Sequence, residues 1–446
     1  MTQDQSLPGR DTALTHRDVL SIAIPVMLSN VSTPLIGIVD TAVVGRIPDP
    51  AYIGAVAVGA LVFSFLFWAF GFLRMGTTGL TAQALGASDS EEIRSCLGRA
   101  LFVAAIAGIF LIASQWPLRE LAFGLLSGSD QVEGLARDYF EIRIWAAPAT
   151  FANYALLGWF IGLGRTDIGL VLQLLLNLSN IVLDALFVLG FGWDVRGVAL
   201  GTLLAECIAA TVGLVVAMRY LRGIGGNWSS RRLLDAKRMK RTIAVNGDIM
   251  LRSLALVAVF VWFMAQGARQ GDIILAANAV LMHLISLGAF FLDGLAFAAE
   301  ALVGRAIGAS HRAGLKIAAR MTTQWAAGIA VIASIVFVSL GPLFIDILTV
   351  DALARSTARS YLLWAACAPL FGVWAFQLDG IFIGATRTED MRNAMLMSTA
   401  IFLLAWWLLQ PFGNHGLWAS LYVHYVARIS TLGYYYPGLV RSVPDP

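Results

Sequence analysis

Residues 80–88 read LTAQALGAS and residues 302–310 read LVGRAIGAS, identical at five of nine positions. The same offset links GWFIGLGRT (158–166) to GIFIGATRT (380–388), identical at six of nine. It also links Ala57–Val58 to Ala279–Val280. Apolar sequence yields chance matches, but not at one constant offset in three places. The chain therefore reads as two related halves, 1–222 and 223–446, joined by a basic linker at about 219–241.

The material around the repeats is apolar. Of 446 residues, 58% are hydrophobic and 13% are charged, with a mean hydropathy of +0.75. Soluble domains carry about 25% charged residues, so an ordinary soluble enzyme, a disulfide scaffold and a disordered chain are all excluded. Twelve apolar runs can be traced: 18–46, 52–84, 95–117, 132–161, 167–191, 196–221, 240–268, 273–305, 315–342, 353–384, 390–411 and 415–438. They are continuous and long enough for membrane helices. Alternating ten-residue strands of a β-barrel are not seen. The expected fold is an all-α polytopic membrane protein with twelve transmembrane helices in two six-helix bundles. Six spans per half is even, so the halves share one orientation, a parallel repeat.

Positive charge sets the orientation. The richest cluster lies between the sixth and seventh spans: Arg219, Arg222, Arg231, Arg232, Lys237, Arg238, Lys240 and Arg241. Loops of the same parity hold Arg94, Arg99, Arg165, Arg305, Arg312, Lys316, Arg387 and Arg392. Both termini are therefore expected on the cytoplasmic side of a plasma (inner) membrane. The polar start of the chain, MTQDQSLPGRDTALTHRD (1–18), shows no signal-peptide core, so insertion is expected to use the first span. Net charge is +3, no nucleic-acid signature, and the basic linker reads as a topology signal. Cys96, Cys207 and Cys367 are far apart and lack CxxC spacing, so they read as core thiols.

A charge at the bilayer centre costs at least ~2.5–3.5 kcal/mol, which makes intramembrane acids functional candidates. Asp40 lies deep in the first span, on one helical face with Asn30, Thr33 and Gly37. Pro25 and Pro34 interrupt that helix and supply bending points. Gln173, Asn177, Asn180 and Asp184 recur at four-three-four spacing, a polar stripe on an otherwise apolar helix. Such a stripe needs a cavity or a partner helix, and its oxygens suit a proton or a small hard cation. Thr202 and Glu206 stand one turn apart on the sixth span; Asn153 follows Pro148 on the fourth, and Tyr139 lies near a helix end. In the second half, His283, Ser286, Asp293 and Glu300 share a face, and Asp379 precedes the repeated GIFIGATRT. Arg74 and Arg252 read as snorkelling or structurally paired.

Other chemistry is absent from the pattern. There is no P-loop, HExxH, GxSxG or metal-spaced His/Cys set. The chain is expected to be no enzyme and to use no cofactor, with energy coming from an ion gradient.

These stretches together resemble the MATE (multidrug and toxic compound extrusion) transporters, in particular the DinF-like branch. The resemblance rests on PVMLSNVSTPLIGIVDTAVVGRI, LTAQALGAS, NLSNIVLDALFVLGFGWDVRGVALGT, DGLAFAAEALVGRAIGAS and DGIFIGATRT. It implies a V-shaped cleft between the bundles, alternating access, and export of organic, often cationic, small molecules by a monomer in exchange for H+ or Na+. It also implies a cation-coupling site at Asp40, Asn180, Asp184 and Thr202, with Na+ as one occupant of Asn180, Asp184 and Thr202. Pro25 becomes the hinge of the first helix. Thr33, Tyr139, Asn153, Asn177, Asp293 and Asp379 become substrate or cleft candidates. Thr33 and Ile36 depart from the pattern, since relatives carry larger polar side chains there. The glutamate of the NorM-like branch on the seventh span is not evident. Three competing readings are weaker. A lipid-linked sugar flippase would favour a basic cavity, a membrane enzyme would need a nucleophile or metal motif, and a passive channel fits poorly with a two-lobe repeat. Partners are expected to be the organic substrate and membrane lipids.

Overall fold

The computed structural model describes residues 14–47, 49–125 and 129–444. The side chains of Leu35, Ile36, Ile38 and Leu125 lie outside the described set, as does most of the polar start of the chain. Every regular element among the described residues is helical. In chain order they are α1 His16–Val44, α2 Pro50–Trp68, α3 Phe72–Gly86, α4 Ser90–Ala113, α5 Gln115–Leu125, α6 Asp130–Arg143, α7 Ala147–Gly162, α8 Thr166–Asp184 and α9 Asp194–Ile224. There follow α10 Ser230–Leu233, α11 Ala236–Arg269, α12 Asp272–Gly308, α13 Arg312–Leu348, α14 Ala352–Gly384, α15 Thr388–Leu409 and α16 Gly413–Ser442. Eleven segments are long and apolar enough to cross a membrane, and the last, Thr388–Ser442, holds both α15 and α16. The count therefore agrees with the twelve apolar runs of the sequence. The second run is broken between α2 and α3, and the fourth between α6 and α7.

The helix ends follow their local chemistry. Asp49 caps α2 by accepting from the Ala51 N–H at 2.9 Å, with Pro50 at the first helical position. Asp89 caps α4 through the Glu92 N–H at 3.0 Å, and Asp351 caps α14 through the Ala354 N–H at 2.6 Å. Large apolar side chains remain exposed along the helices, among them Phe110, Leu178, Val182, Ile332 and Ile347. A water-soluble surface would not carry so many; they suit lipid.

The chain divides into two compact units. One comprises Leu28–Thr81 and Asp89–Thr242; the other comprises the stretch ending at Met27, Ala82–Ser88, and the chain from Ile243 onward. The first unit pairs α4 with α7, α8 with α9, and α2 with α6. Its aromatic core stacks Phe63 on Phe140 and Phe70 on Phe151. The second pairs α12 with α14, α13 with α14, and α15 with α16, around a core that includes Phe263 set edge-on to Trp418.

The repeated motifs have a shared physical basis. A Cβ on Gly158 would lie 2.3 Å from the Arg74 carbonyl oxygen, and one on Gly380 would lie 2.4 Å from that of Ala296. Gly380 and Ala296 are the repeat counterparts of Gly158 and Arg74, so one contact is made twice. Gly86 and Gly308 meet Arg305 O and Gln83 O reciprocally, each at 2.0 Å from the added Cβ. These glycines let helix backbones touch, which is how helices pack tightly without hydrophobic drive from water. Helix ends repeat as well. Ser88 and Ser310 both adopt φ 55°, and Gly164 and Thr386 adopt φ 72° and 52°. Arg165 N donates to Phe160 O at 2.8 Å and Arg387 N to Phe382 O at 3.0 Å, the same closure at equivalent positions of the repeat.

Candidate functional site: a carboxyl cluster among the first-unit helices

The polar stripe of α8 points into the first unit. Asn177, Asn180 and Asp184 are buried, the last two with no exposed surface, while Leu178 and Val182 on the opposite side are exposed. Asp184 ends the regular helix, and a π-turn, Ala185–Gly190, follows at once. Such a turn breaks the i→i−4 ladder and is frequent at functional positions.

Four residues expected to act together are brought together here. Asn180 Nδ2 donates to Asp184 Oδ2 at 3.0 Å and to Thr202 Oγ1 at 3.1 Å. Thr202 Oγ1 in turn donates to Val198 O at 2.9 Å. Asp40, on α1, is buried with its carboxyl within hydrogen-bonding reach of Asp184. α9 comes close enough for this because residue 201 is glycine: a Cβ there would fall 2.0 Å from Asp184 Oδ1. Tyr139 is buried beside Arg143 and lies in the field of both aspartates. It packs on the bare backbone of Gly59, where a Cβ would come within 2.4 Å of its ring.

A second polar group adjoins the first. Arg143 is buried, 3.5 Å from Glu206, with its guanidinium over the rings of Phe63 and Phe67. Asn153 Nδ2 donates to Glu206 Oε2 at 2.7 Å and to Glu206 O at 3.1 Å. Asp40, Asp184 and Glu206 supply three carboxyl groups to the interior of this unit, against the guanidinium groups of Arg143 and Arg74. Three carboxyl groups thus share this interior with two guanidinium groups. Three buried acceptor atoms also lack a hydrogen-bond partner among the described residues: Asp40 Oδ1, Asn180 Oδ1 and Asp184 Oδ1. A cation or a proton could satisfy such orphaned acceptors on buried carboxyl and amide groups.

The remaining candidates lie elsewhere. Asn177 holds the α1 backbone, donating to Ser32 O at 3.1 Å and Ser32 Oγ at 3.0 Å while accepting from Gln173 at 2.8 Å. Thr33 is exposed, its hydroxyl bonded to Ser29 O of its own helix. Pro25 is half-buried on α1, in the stretch grouped with the second unit. Asp293 is half-buried on α12 and Asp379 buried on α14, both in the second unit. Arg252 is indeed paired, with Asp379. Among the described residues, no group of three or more His, Cys, Asp or Glu side chains has metal-binding geometry.

Sequence reasoning overlooked Arg143, Arg428 and Gly201. Each arginine stands alone between apolar neighbours, Ile142 and Ile144 in one case, Ala427 and Ile429 in the other. The intramembrane-charge criterion that singled out the aspartates would have found both. Gly201 carries no such signal, since its role depends on how α8 and α9 pack.

Comparison with known proteins agrees with this architecture. The MatE family pattern matches residues 25–186 and again 249–412. The chain is 41% identical over 426 residues to DNA damage-inducible protein F of Escherichia coli K12, covering 95% of this chain and 91% of that protein. It is 25% identical over 322 residues to the probable multidrug resistance protein NorM of Thermotoga maritima, covering 69% and 66%. A solved structure described as MATE in the bent conformation superposes with TM-score 0.86 at 18% identity, covering 96% of each chain. The chain belongs to the MatE family, whose members are membrane transporters and not enzymes.

Proposed function

We propose that this protein is a secondary antiporter that exports organic, often cationic, small molecules in exchange for H+ or Na+. The three orphaned oxygens of Asp40, Asn180 and Asp184, gathered among buried carboxyl groups, carry this reading. A proton or Na+ entering the cluster would satisfy acceptors that otherwise stay unpaired in a dry bundle. Sodium would be held by the Asp184 carboxylate with the Asn180 and Thr202 oxygens, and a proton would sit on the aspartate pair. The name of the Thermotoga relative, a multidrug resistance protein, supports the substrate class.

In this mechanism the ion works through α1. That helix carries Asp40 to the cluster, and Asn177 ties its Ser32 to α8. Filling the site changes the charge beside Asp40, and Pro25, earlier on the same helix, is the bending point at which α1 responds. Transport is coupled only if the ion binds one conformation better than the other. Halves 1–222 and 223–446 act as two lobes, and Thr33, Tyr139, Asn153, Asn177, Asp293 and Asp379 are the residues proposed to contact substrate. The chain works as a monomer in the inner membrane with both termini in the cytoplasm. Proteoliposomes loaded with a fluorescent organic cation test this. Efflux driven by an imposed pH gradient without sodium assigns H+, and efflux only with a sodium gradient assigns Na+. Efflux indifferent to both gradients would overturn the antiport reading.

A further inference from the structure

The linker between the halves is a folded element fastened to α4. Arg232 reaches Asp89 at 2.7 and 2.8 Å and Glu91 at 3.0 Å, and Arg238 pairs with Glu92. The buried Arg99 donates to Arg232 O at 3.1 Å and to Glu92 Oε1 at 2.5 Å. Arg94, also buried, closes the end of α9 by donating to Leu221 O and Gly225 O. Residue 98 is glycine, and a Cβ there would fall 2.6 Å from Leu233 Cδ1 and 3.3 Å from the Trp228 ring. The linker is therefore held closely against α4.

These contacts use up the acids. Residues 89–99, 165–167 and 219–241 hold eleven basic and five acidic residues. Asp89, Glu91 and Glu92 are taken by Arg232, Arg238 and Arg99, and Asp167 by Arg165 at 2.7 Å. Asp235 caps the start of α11, accepting from the Arg238 N–H at 2.9 Å. Arg219, Arg222, Arg231, Lys237 and Lys240 are all exposed and form no ion pair among the described residues. Surplus positive charge is displayed rather than neutralised.

The display stands at headgroup depth. Met218 on α9 and Ile243 on α11 are exposed apolar side chains that suit lipid. Arg222 follows Met218 by four helical residues, about 6 Å, and Lys237 precedes Ile243 by six, about 9 Å. The polar layer of a bilayer is about 5–8 Å deep on each side. Between these helix ends the linker exposes Trp228 (46%) and Leu234 (67%). Tryptophan is favoured at the membrane–water interface. A soluble polyanion would meet the charges but leave both apolar side chains in water; a bilayer surface takes both.

We infer that the linker, with the adjoining ends of α9 and α11, is a binding surface for anionic phospholipid. Arg222, Arg231, Lys237 and Lys240 hold the lipid phosphates, and Trp228 and Leu234 enter the interface beside them. The α4 carboxylates keep the linker in the shape that presents these groups. Binding here needs no ion gradient and no transported substrate, so it stands apart from the antiport reading.

The test uses the full chain in phosphatidylcholine vesicles with increasing fractions of brominated phosphatidylglycerol, or brominated phosphatidylcholine, in both leaflets. Brominated acyl chains quench tryptophan at close range, and subtracting the Trp228→Phe protein isolates Trp228. Half-quenching is expected at a mole fraction about tenfold lower for phosphatidylglycerol. Arg231→Gln combined with Lys237→Gln and Lys240→Gln should erase that preference, and Arg231→Lys should retain it. High salt should erase it in the wild-type chain, a readout that holds if the triple variant does not fold. Millimolar inorganic phosphate should not displace the lipid. Equal quenching by the two lipids, a preference that survives high salt or the triple substitution, or displacement by phosphate would overturn the assignment.

Discussion

Gly201→Ala should damage ion coupling without removing any polar group. A Cβ at residue 201 falls 2.0 Å from Asp184 Oδ1 and 3.2 Å from both Asp184 Cγ and its backbone N. Ordinary contact begins at 3.4 Å, so the oxygen must retreat from 2.0 Å to at least that distance. The backbone N is already tight, and α8 cannot follow easily. The two carboxylate oxygens turn together, so the retreat of Oδ1 also breaks the 3.0 Å bond from Asn180 Nδ2 to Oδ2. A hydrogen bond to a charged group is worth about 1.5–3 kcal/mol. At about 1.4 kcal/mol per tenfold, ion binding should weaken by roughly 10- to 150-fold. Dye efflux from proteoliposomes, measured against the concentration of the driving ion, should show half-saturation shifted upward by that factor. Gly134→Ala on α6 is the control, because nothing lies within 4 Å of its Cβ position. Wild-type ion dependence in a folded Gly201→Ala protein would refute the packing argument.

Other substitutions probe neighbouring contacts. Gly308→Ala places a Cβ 2.0 Å from the Gln83 backbone oxygen and should cost about 1–3 kcal/mol or more; detergent melting should fall well below that of Gly328→Ala, which meets open space. Glu206→Gln strands Arg143 in the interior and should destabilise by about 3–5 kcal/mol. Adding Arg143→Gln should recover most of that loss in a thermal double-mutant cycle, and additive losses would count against the pair. Arg232→Ala frees the linker from Asp89 (2.7 and 2.8 Å) and Glu91 (3.0 Å). Those ion pairs are half-exposed and worth about 1 kcal/mol or less. Melting should therefore barely change, while limited proteolysis near residues 223–235 should accelerate.

Much of this molecule was legible before its structure. The internal repeat survives as matched glycine contacts and matched positive-φ helix ends, because backbone-to-backbone packing tolerates only glycine at those contacts. The α8 stripe was readable because a polar face on an apolar helix has to be satisfied internally. Thr33 shares a helical face with Asp40 in projection, and it is exposed and bonds its own backbone. Threonine can satisfy itself in that way, so its polarity says little about its surroundings. The interruption between α2 and α3 at residues 69–71 could not be read, since Ala69 and Phe70 continue the apolar run. The compact units also differ from a simple cut at residue 222. They exchange 82–88 and the stretch ending at Met27 for 223–242, and that grouping depends on packing rather than local pattern.

The central claim is that Asp184 couples ion entry to export. Asp184→Asn preserves the size of the side chain and the contact with α9 while removing its negative charge. In proteoliposomes with an imposed ion gradient, the account predicts that gradient-driven dye efflux is lost while membrane insertion and thermal stability stay near wild type. Gradient-driven efflux at the wild-type rate in that variant would contradict it.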